Sequence, residues 1–187
     1  MNWRTKRIKL GAYAVGALTA AVLAVSTTPA AASGTYSGRA YFYGGDKYWD
    51  DWGDEGILQR NTHASSNATC LWQMILWADG ALDSKSKVDG VFGDGTYNAT
   101  KAWQQRQNID YAAGLETDGS VGKATLSWAY EWIFATGGSD AAGQTLLLQY
   151  VGYNGNFNMR RLPDGNYEFV DGDGAWRKAG YDYRTCS

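Results

Sequence analysis

One histidine, two cysteines and two prolines are all that this 187-residue chain holds of those residue types, and the first two scarcities already narrow its chemistry. A zinc peptidase or amidase site needs two or three imidazole ligands, and His63 stands alone. A Cys/His nucleophile needs a free thiol beside that histidine, whereas Cys70 and Cys186 are better explained as a bridge. No Gly-x-Ser-x-Gly string supplies a serine elbow. Beyond residue 32 no cluster of Lys or Arg survives, so the basic stripe of a nucleic-acid binder is missing, and the same shortage argues against an anionic membrane surface. Two acidic strings, Asp50-Asp51-Trp52-Gly53-Asp54-Glu55 and Asp171-Gly172-Asp173-Gly174, lack the full spacing of a calcium loop and read as a solvated loop and a hairpin turn. Neither a metal nor a cofactor is implied.

What is present begins with a leader. Arg4, Lys6, Arg7 and Lys9 form a basic head, residues 10–25 are an almost uncharged run rich in Ala and Val, and Pro29-Ala30-Ala31-Ala32 supplies the small residues a signal peptidase requires. Residues 1–32 are therefore expected to be a signal peptide cleaved after Ala32, leaving a secreted, extracellular chain without a membrane anchor. The leader takes four of the seventeen Lys and Arg and none of the nineteen Asp and Glu, so residues 33–187 carry a formal charge of −6. Export also permits a disulfide, and Cys70–Cys186 is the one pairing available. Such a bridge pins the C-terminal tail onto the first helix. Eight Trp, twelve Tyr and five Phe remain in the mature chain, more than its packing requires, and rings of this kind stack on sugars as readily as they fill cores.

Three textures follow the leader. Residues 33–65 form a loop-rich arm, full of Gly and aromatics and without helical period, with one short strand at 40–43. Residues 66–137 are helical: a first helix capped by Asn67 and stopped by Gly80, with Leu71, Met74, Ile75 and Ala78 inward; a second over 96–107 burying Ala99, Ala102 and Trp103; a third over 123–136 with Thr125, Trp128, Ala129 and Trp132 inward. Residues 138–187 alternate between turn strings and short runs of Tyr, Phe, Val and Trp, which reads as antiparallel β-hairpins; residues 144–150 have no deciding period. The expected fold is mainly α, a three-helix core with an internal repeat, plus a small C-terminal β-hairpin region tied back by the disulfide and the N-terminal arm.

The repeat appears when the chain is slid against itself by 29 residues. Val88-Asp89-Gly90-Val91-Phe92-Gly93-Asp94-Gly95-Thr96 aligns with Thr117-Asp118-Gly119-Ser120-Val121-Gly122-Lys123-Ala124-Thr125. Each copy is a turn that launches a helix. Asp89 and Asp118 accept local amides, Gly90 and Gly119 take positive φ, Phe92 and Val121 plug the core, Gly93 and Gly122 allow close approach, and Thr96 and Thr125 open the helices. Both carboxylates are thus expected to be turn residues.

These residues resemble the peptidoglycan-binding domain family that accompanies bacterial cell-wall hydrolases. Its pattern is an opening helix with Leu-Gln and a Gly stop, then Val-Asp-Gly-x-Phe-Gly-x-x-Thr-x-x-Ala-Val-x-x-Phe-Gln, then a second Asp-Gly-x-x-Gly-x-x-Thr. Here Trp72-Gln73, Leu76, Gly80, Val88 to Thr96, Ala99 and Trp103-Gln104 match, over about seventy residues; Thr100 replaces Val, and residues 110–116 lengthen the second link. The resemblance implies a non-catalytic protein that binds cell-wall peptidoglycan, glycan or stem peptide, in a groove beside the repeat turns. Trp77 and Tyr97 stand where the pattern expects polar residues and become the candidate stacking rings, with Gln73, Gln104 and Arg106 as polar companions. Two other readings stay open. One is a protein partner, as for an inhibitor module on the same fold, and the other is a carboxylate-pair glycosidase using Glu55, Glu131 or Glu168 with a nearby Asp. His63 reads as a polar loop residue.

Overall fold

The structure, a computed structural model, describes residues 35–45 and 47–186, so the expected signal peptide lies outside the described residues. Ser66, in extended conformation, caps the first helix by accepting the Thr69 amide at 3.0 Å, and α1 (Asn67–Ala78) ends before Gly80, whose φ of +73° turns the chain. Asn67 is not the cap. Its Oδ1 accepts the Thr185 and Cys186 amides and its Nδ2 donates to the Lys178 carbonyl, so it grips the C-terminal tail. Leu71, Met74, Ile75 and Ala78 face inward as their spacing implies, yet of α1 only Trp77 escapes full burial. The reason is that α1 has a helix on one side and a sheet on the other.

Helix α2 (Asp94–Tyr111) is longer at both ends than the run expected at 96–107. Ala99 and Trp103 are buried but Ala102 is exposed; Thr100 takes its place, accepting the Trp72 indole N–H at 2.8 Å. Helix α3 (Lys123–Tyr130) is short. The expectation that it continues to residue 136 is wrong, because Ile133–Gly138 is β1, paired antiparallel with β2 (Leu146–Val151). Strands β3 (Asn156–Arg161), β4 (Tyr167–Val170) and β5 (Trp176–Lys178) complete a five-stranded antiparallel meander in chain order. The mainly α, three-helix description therefore fails. Among the described residues three α-helices share the core with a sheet that forms its other side, and the C-terminal hairpins are part of that sheet. The turn strings at 163–166 and 171–174 do join β3 to β4 and β4 to β5.

Alternation is clean on β2, where Leu146, Leu148 and Tyr150 are buried while Leu147 and Val151 are exposed. Met159, Phe157, Tyr167 and Phe169 carry the inward face across β3 and β4. The arm is not peripheral. Isolated bridges tie Tyr41 to Gly180 and Tyr43 to Asn166, and Phe42, Trp52 and Leu58 are fully buried in the same continuous core as the helices and sheet. Burying Phe42 or Leu58 contributes roughly 1.5–3 kcal/mol each. The expected Cys70–Cys186 bridge is present and holds the tail against α1.

Glu55 sits at the seam between arm and tail, fully buried, accepting the Tyr181 hydroxyl at 2.6 Å and the Tyr43 amide at 3.0 Å. Burial pushes its carboxyl from 4.5 up to about 7, against the opposing pull of those hydrogen bonds. A raised carboxyl binds its proton more tightly folded than unfolded, so its stabilisation is complete below pH 4.5 and disappears as pH rises to about 7. Glu55→Gln should remove that dependence. Urea unfolding at pH 4.5, 6 and 8 is expected to show the variant gaining on the wild type by up to about 3 kcal/mol at the highest pH; parallel curves for the two proteins would refute this.

Candidate functional site

The two glutamines proposed as ligand contacts turn out to build the repeat. Gln73, on α1, donates through Nε2 to Asp89 Oδ1 (2.8 Å), Thr96 Oγ1 (2.9 Å) and the Val91 carbonyl (3.1 Å), while its Oε1 accepts the Gly90 amide at 2.7 Å. Gln104, on α2, repeats every contact one turn later: Asp118, Thr125 and the Ser120 carbonyl accept from it, and the Gly119 amide donates to it at 2.9 Å. Both side chains are buried with their polar atoms in use. Asp89 and Asp118 also accept the amides of Val91 and Ser120, the Asx-turn duty their sequence context implies. Gly90 and Gly119 take φ of +69° and +76°, and neither has room for a side chain: a Cβ would meet Cys186 Sγ at 2.8 Å in the first and the Tyr97 ring at 2.5 Å in the second. Phe92 and Val121 are buried plugs, Gly93 and Gly122 occupy the N-cap positions, and Thr96 and Thr125 lie inside the first turns of α2 and α3.

Beside the first of these turns lies a small hollow of about 290 Å³, with Gln73, Lys87, Asp89 and Thr96 among its walls. This is where the family resemblance places the groove. Neither Trp77 nor Tyr97 lines it. The Trp77 ring is half-buried, with the Lys85 ammonium 4.2 Å from its centre and Gly155 against its edge. Tyr97 lies on Gly119 beneath the Arg60 guanidinium, 3.8 Å from its centroid.

A larger cleft, about 610 Å³, opens where the end of α2 meets the start of β1 and the β2–β3 turn. Of the expected ligand residues only Arg106 lines it. Tyr111 from α2, Trp132 and Phe134 at the head of β1, Val151 at the end of β2 and Tyr153 just beyond it form apolar walls; Asp79, Gln107, Asp110 and Gly152 complete it. Its rings are unusually open: Tyr153 is 88% exposed, and Tyr111 and Phe134 are each 49% exposed. Tyr111 packs on Trp132 with centroids 5.2 Å apart.

Asp79 positions the whole assembly. Its carboxylate accepts the Trp103 indole N–H (2.5 Å), the Tyr150 hydroxyl (2.7 Å) and the Tyr153 amide (3.1 Å), joining α2, β2 and the turn to the end of α1. The amides of Asn154 and Gly155 donate to the Ala78 carbonyl, and Arg106 donates to the Asp79 carbonyl, so the last carbonyls of α1 are satisfied from outside the helix. Gly152 lies so close to Ala78 that a Cβ there would come within 2.5 Å of its backbone. Burial, reinforced by the Asp79 charge, holds the Tyr150 phenol well above its ordinary range, so it stays a neutral donor.

The rings of this cleft are not legible in the periodicity of the sequence, because Trp132 falls on a helical stripe and Tyr153 in no regular element. A usable signal existed in Gly152-Tyr153-Asn154-Gly155, a turn string that exposes its tyrosine. The three candidate glutamates lie elsewhere: Glu55 is buried under Tyr181, Glu168 on β4 pairs with Arg160 on β3, and Glu131 follows α3 as its C-cap. His63 packs on Tyr181 and shares a 3.1 Å hydrogen bond with its carbonyl oxygen. Among the described residues no group of three His, Cys, Asp or Glu side chains is arranged to hold a metal ion, and no helix is long and apolar enough to cross a membrane. Comparisons of the chain with protein-family models, curated proteins and solved structures gave no match.

Proposed function

We propose that the protein is a secreted, non-enzymatic module that binds cell-wall peptidoglycan, and that the cleft between α2 and the β1–β2 end of the sheet is its contact surface. The observation that carries this reading is the convergence of three open aromatic rings around one arginine in a cleft of about 610 Å³. That size and mixed polarity suit a small-ligand site. Ring faces take the apolar C–H surfaces of sugars or peptide side chains, and Arg106, Gln107 and Asp110 offer hydrogen bonds. The resemblance of residues 66–137 to peptidoglycan-binding domains supports the ligand class. The basic, Ala-rich leader and the Cys70–Cys186 bridge support export to an oxidising compartment. The reading as a binder rather than a hydrolase draws on the sequence, which holds a single histidine and no serine elbow.

Sedimentation with purified insoluble peptidoglycan tests this. The mature wild type is expected in the pellet, and Tyr153→Ala combined with Phe134→Ala should weaken retention about tenfold, the equivalent of about 1.4 kcal/mol. Tyr97→Ala, whose ring packs on the second repeat turn, serves as the control and should bind as wild type. A wild-type protein that stays in the supernatant would sink the cell-wall reading; release of soluble muropeptides or reducing ends would replace it with the glycosidase.

A further inference from the structure

The charged groups of the cleft are set out in an unusual way. Arg106 and Asp110 are four residues apart on α2, which places them on one helix face with Cβ atoms about 6 Å apart. They do not pair with each other. Among the described residues neither has an ion-pair partner, although Arg60, Arg160, Arg161 and Arg177 all do. Arginine preceding aspartate is the weaker order for such a helix pair, and one arm of the Arg106 guanidinium is committed to the Asp79 carbonyl. The Asp79 carboxylate, taken up by three donors, is not available as a partner either. The cleft thus presents Arg106 and Asp110 side by side, neither of them ion-paired among the described residues, against the walls of Tyr111, Phe134 and Tyr153, while the third charged group, Asp79, is spent on its three internal donors.

We infer that the cleft recognises a zwitterionic amino-acid end group: an α-carbon carrying a free carboxylate and a free ammonium, at the end of an aliphatic chain. The carboxylate meets the remaining Arg106 donors in the forked geometry guanidinium favours. The ammonium meets the Asp110 carboxylate and the nearby ring faces, where cations are attracted. The aliphatic chain lies along Phe134 and Tyr153. A ligand with one charge alone would leave the other group of the pair unanswered, so the site selects for both. Resting on the peptidoglycan reading, this assigns the contact to a stem peptide whose diamino acid keeps one end free, rather than to the glycan.

The test compares intact insoluble peptidoglycan with the same material stripped of stem peptides by an amidase. Wild type should bind the intact polymer at least tenfold more tightly than the stripped glycan. Arg106→Gln and Asp110→Asn should each weaken binding to the intact polymer at least fivefold. meso-Diaminopimelate should compete, whereas pimelate, which lacks the ammonium groups, and 1,5-diaminopentane, which lacks the carboxylates, should not. Asp110 is exposed and its side chain has no hydrogen bond or ion pair to lose, so Asp110→Asn reports on binding rather than folding; Arg106→Lys, which keeps the charge, covers the same concern for Arg106. Equal binding of intact and stripped polymer, or wild-type binding by Asp110→Asn, overturns the inference and leaves the peptidoglycan reading in place. If the protein binds neither polymer, that reading falls. A diaminopimelate-induced change in tryptophan fluorescence, absent from both charge variants, then sustains the end-group site by itself, and its absence in wild type removes that as well.

Discussion

Replacing Cys70 and Cys186 together with alanine is expected to cost about 5 kcal/mol of stability, from the chain entropy released when a loop with a sequence separation of 116 is no longer closed. For a domain whose total stability is about 5–15 kcal/mol, that is the difference between folded and marginal. The tail keeps other holds, since Asn67 binds residues 185 and 186 through its side chain and Arg184 donates to the Asp89 carbonyl at 2.7 Å. These contacts act only in the folded state, whereas the bridge also restricts the unfolded chain. Urea unfolding of the double variant beside the oxidised and reduced wild type measures the effect: reduced wild type and variant should coincide, well below the oxidised protein. A loss under about 1 kcal/mol would show that the loop-closure account does not apply here. Because the tail covers the first repeat turn at Gly90, loosening it should also raise amide exchange across residues 88–93.

Arg161→Met should cost about 3–5 kcal/mol, for a different reason. Arg161 and Asp51 are 3% and 2% exposed and meet at 2.8 Å, with the Tyr167 hydroxyl donating to the same carboxylate oxygen and Arg161 also donating to the Asp140 carbonyl. Burial holds the Asp51 carboxyl above its ordinary value despite Tyr167 and Arg161, which pull it down. Taking away the guanidinium strands a charge that water cannot reach, and the carboxyl must rise further. Part of the loss should therefore return on acidification, as the carboxyl takes up a proton. Adding Asp51→Asn to the variant should restore part of the stability at neutral pH, because the uncompensated charge is then gone. Equal losses for Arg161→Met with and without Asp51→Asn would contradict a charge-based origin.

These two linkages also show which parts of the architecture local sequence could announce. The bridge was legible because two cysteines have one possible pairing. The Asp51–Arg161 pair joins the arm to β3 across 110 residues, and no local pattern near either residue points to the other. Asp51 read as a member of a solvated acidic loop; tertiary packing buries it beneath Tyr167. The same holds for Glu55, which read as one more loop carboxylate and is closed in by Tyr181 from the far end of the chain.

The repeat turns were readable in the duties of Asp89, Asp118, Gly90 and Gly119, since those are met within a few residues; Gly93 and Gly122, expected to allow close approach, are N-cap residues with no atom nearer than 3.8 Å to where a Cβ would stand. The glutamine locks of the turns were not readable. Gln73 and Gln104 lie 31 residues apart while the turns lie 29 apart, so the offset that reveals the turns hides the glutamines; the paired Trp72-Gln73 and Trp103-Gln104 dipeptides were the signal to follow. In the structure each dipeptide sends its tryptophan into the core, where the two rings meet edge to face at 5.1 Å, and its glutamine into the following turn.

By itself, then, the sequence determined the features whose causes are local: the glycine turns, the repeat, the hairpin turns and the disulfide. Tertiary structure alone decided that residues 133–138 are strand instead of helix, because their pairing with Leu146–Val151 outweighs a weak helical period. It also decided where the cleft proposed as the contact surface lies. The cleft draws Arg106 and Asp110 from α2, Phe134 from β1 and Tyr153 from the turn beyond β2, brought together where Asp79 joins two helices to the sheet. A surface of that kind exists only once the core has packed, and no run of consecutive residues contains it.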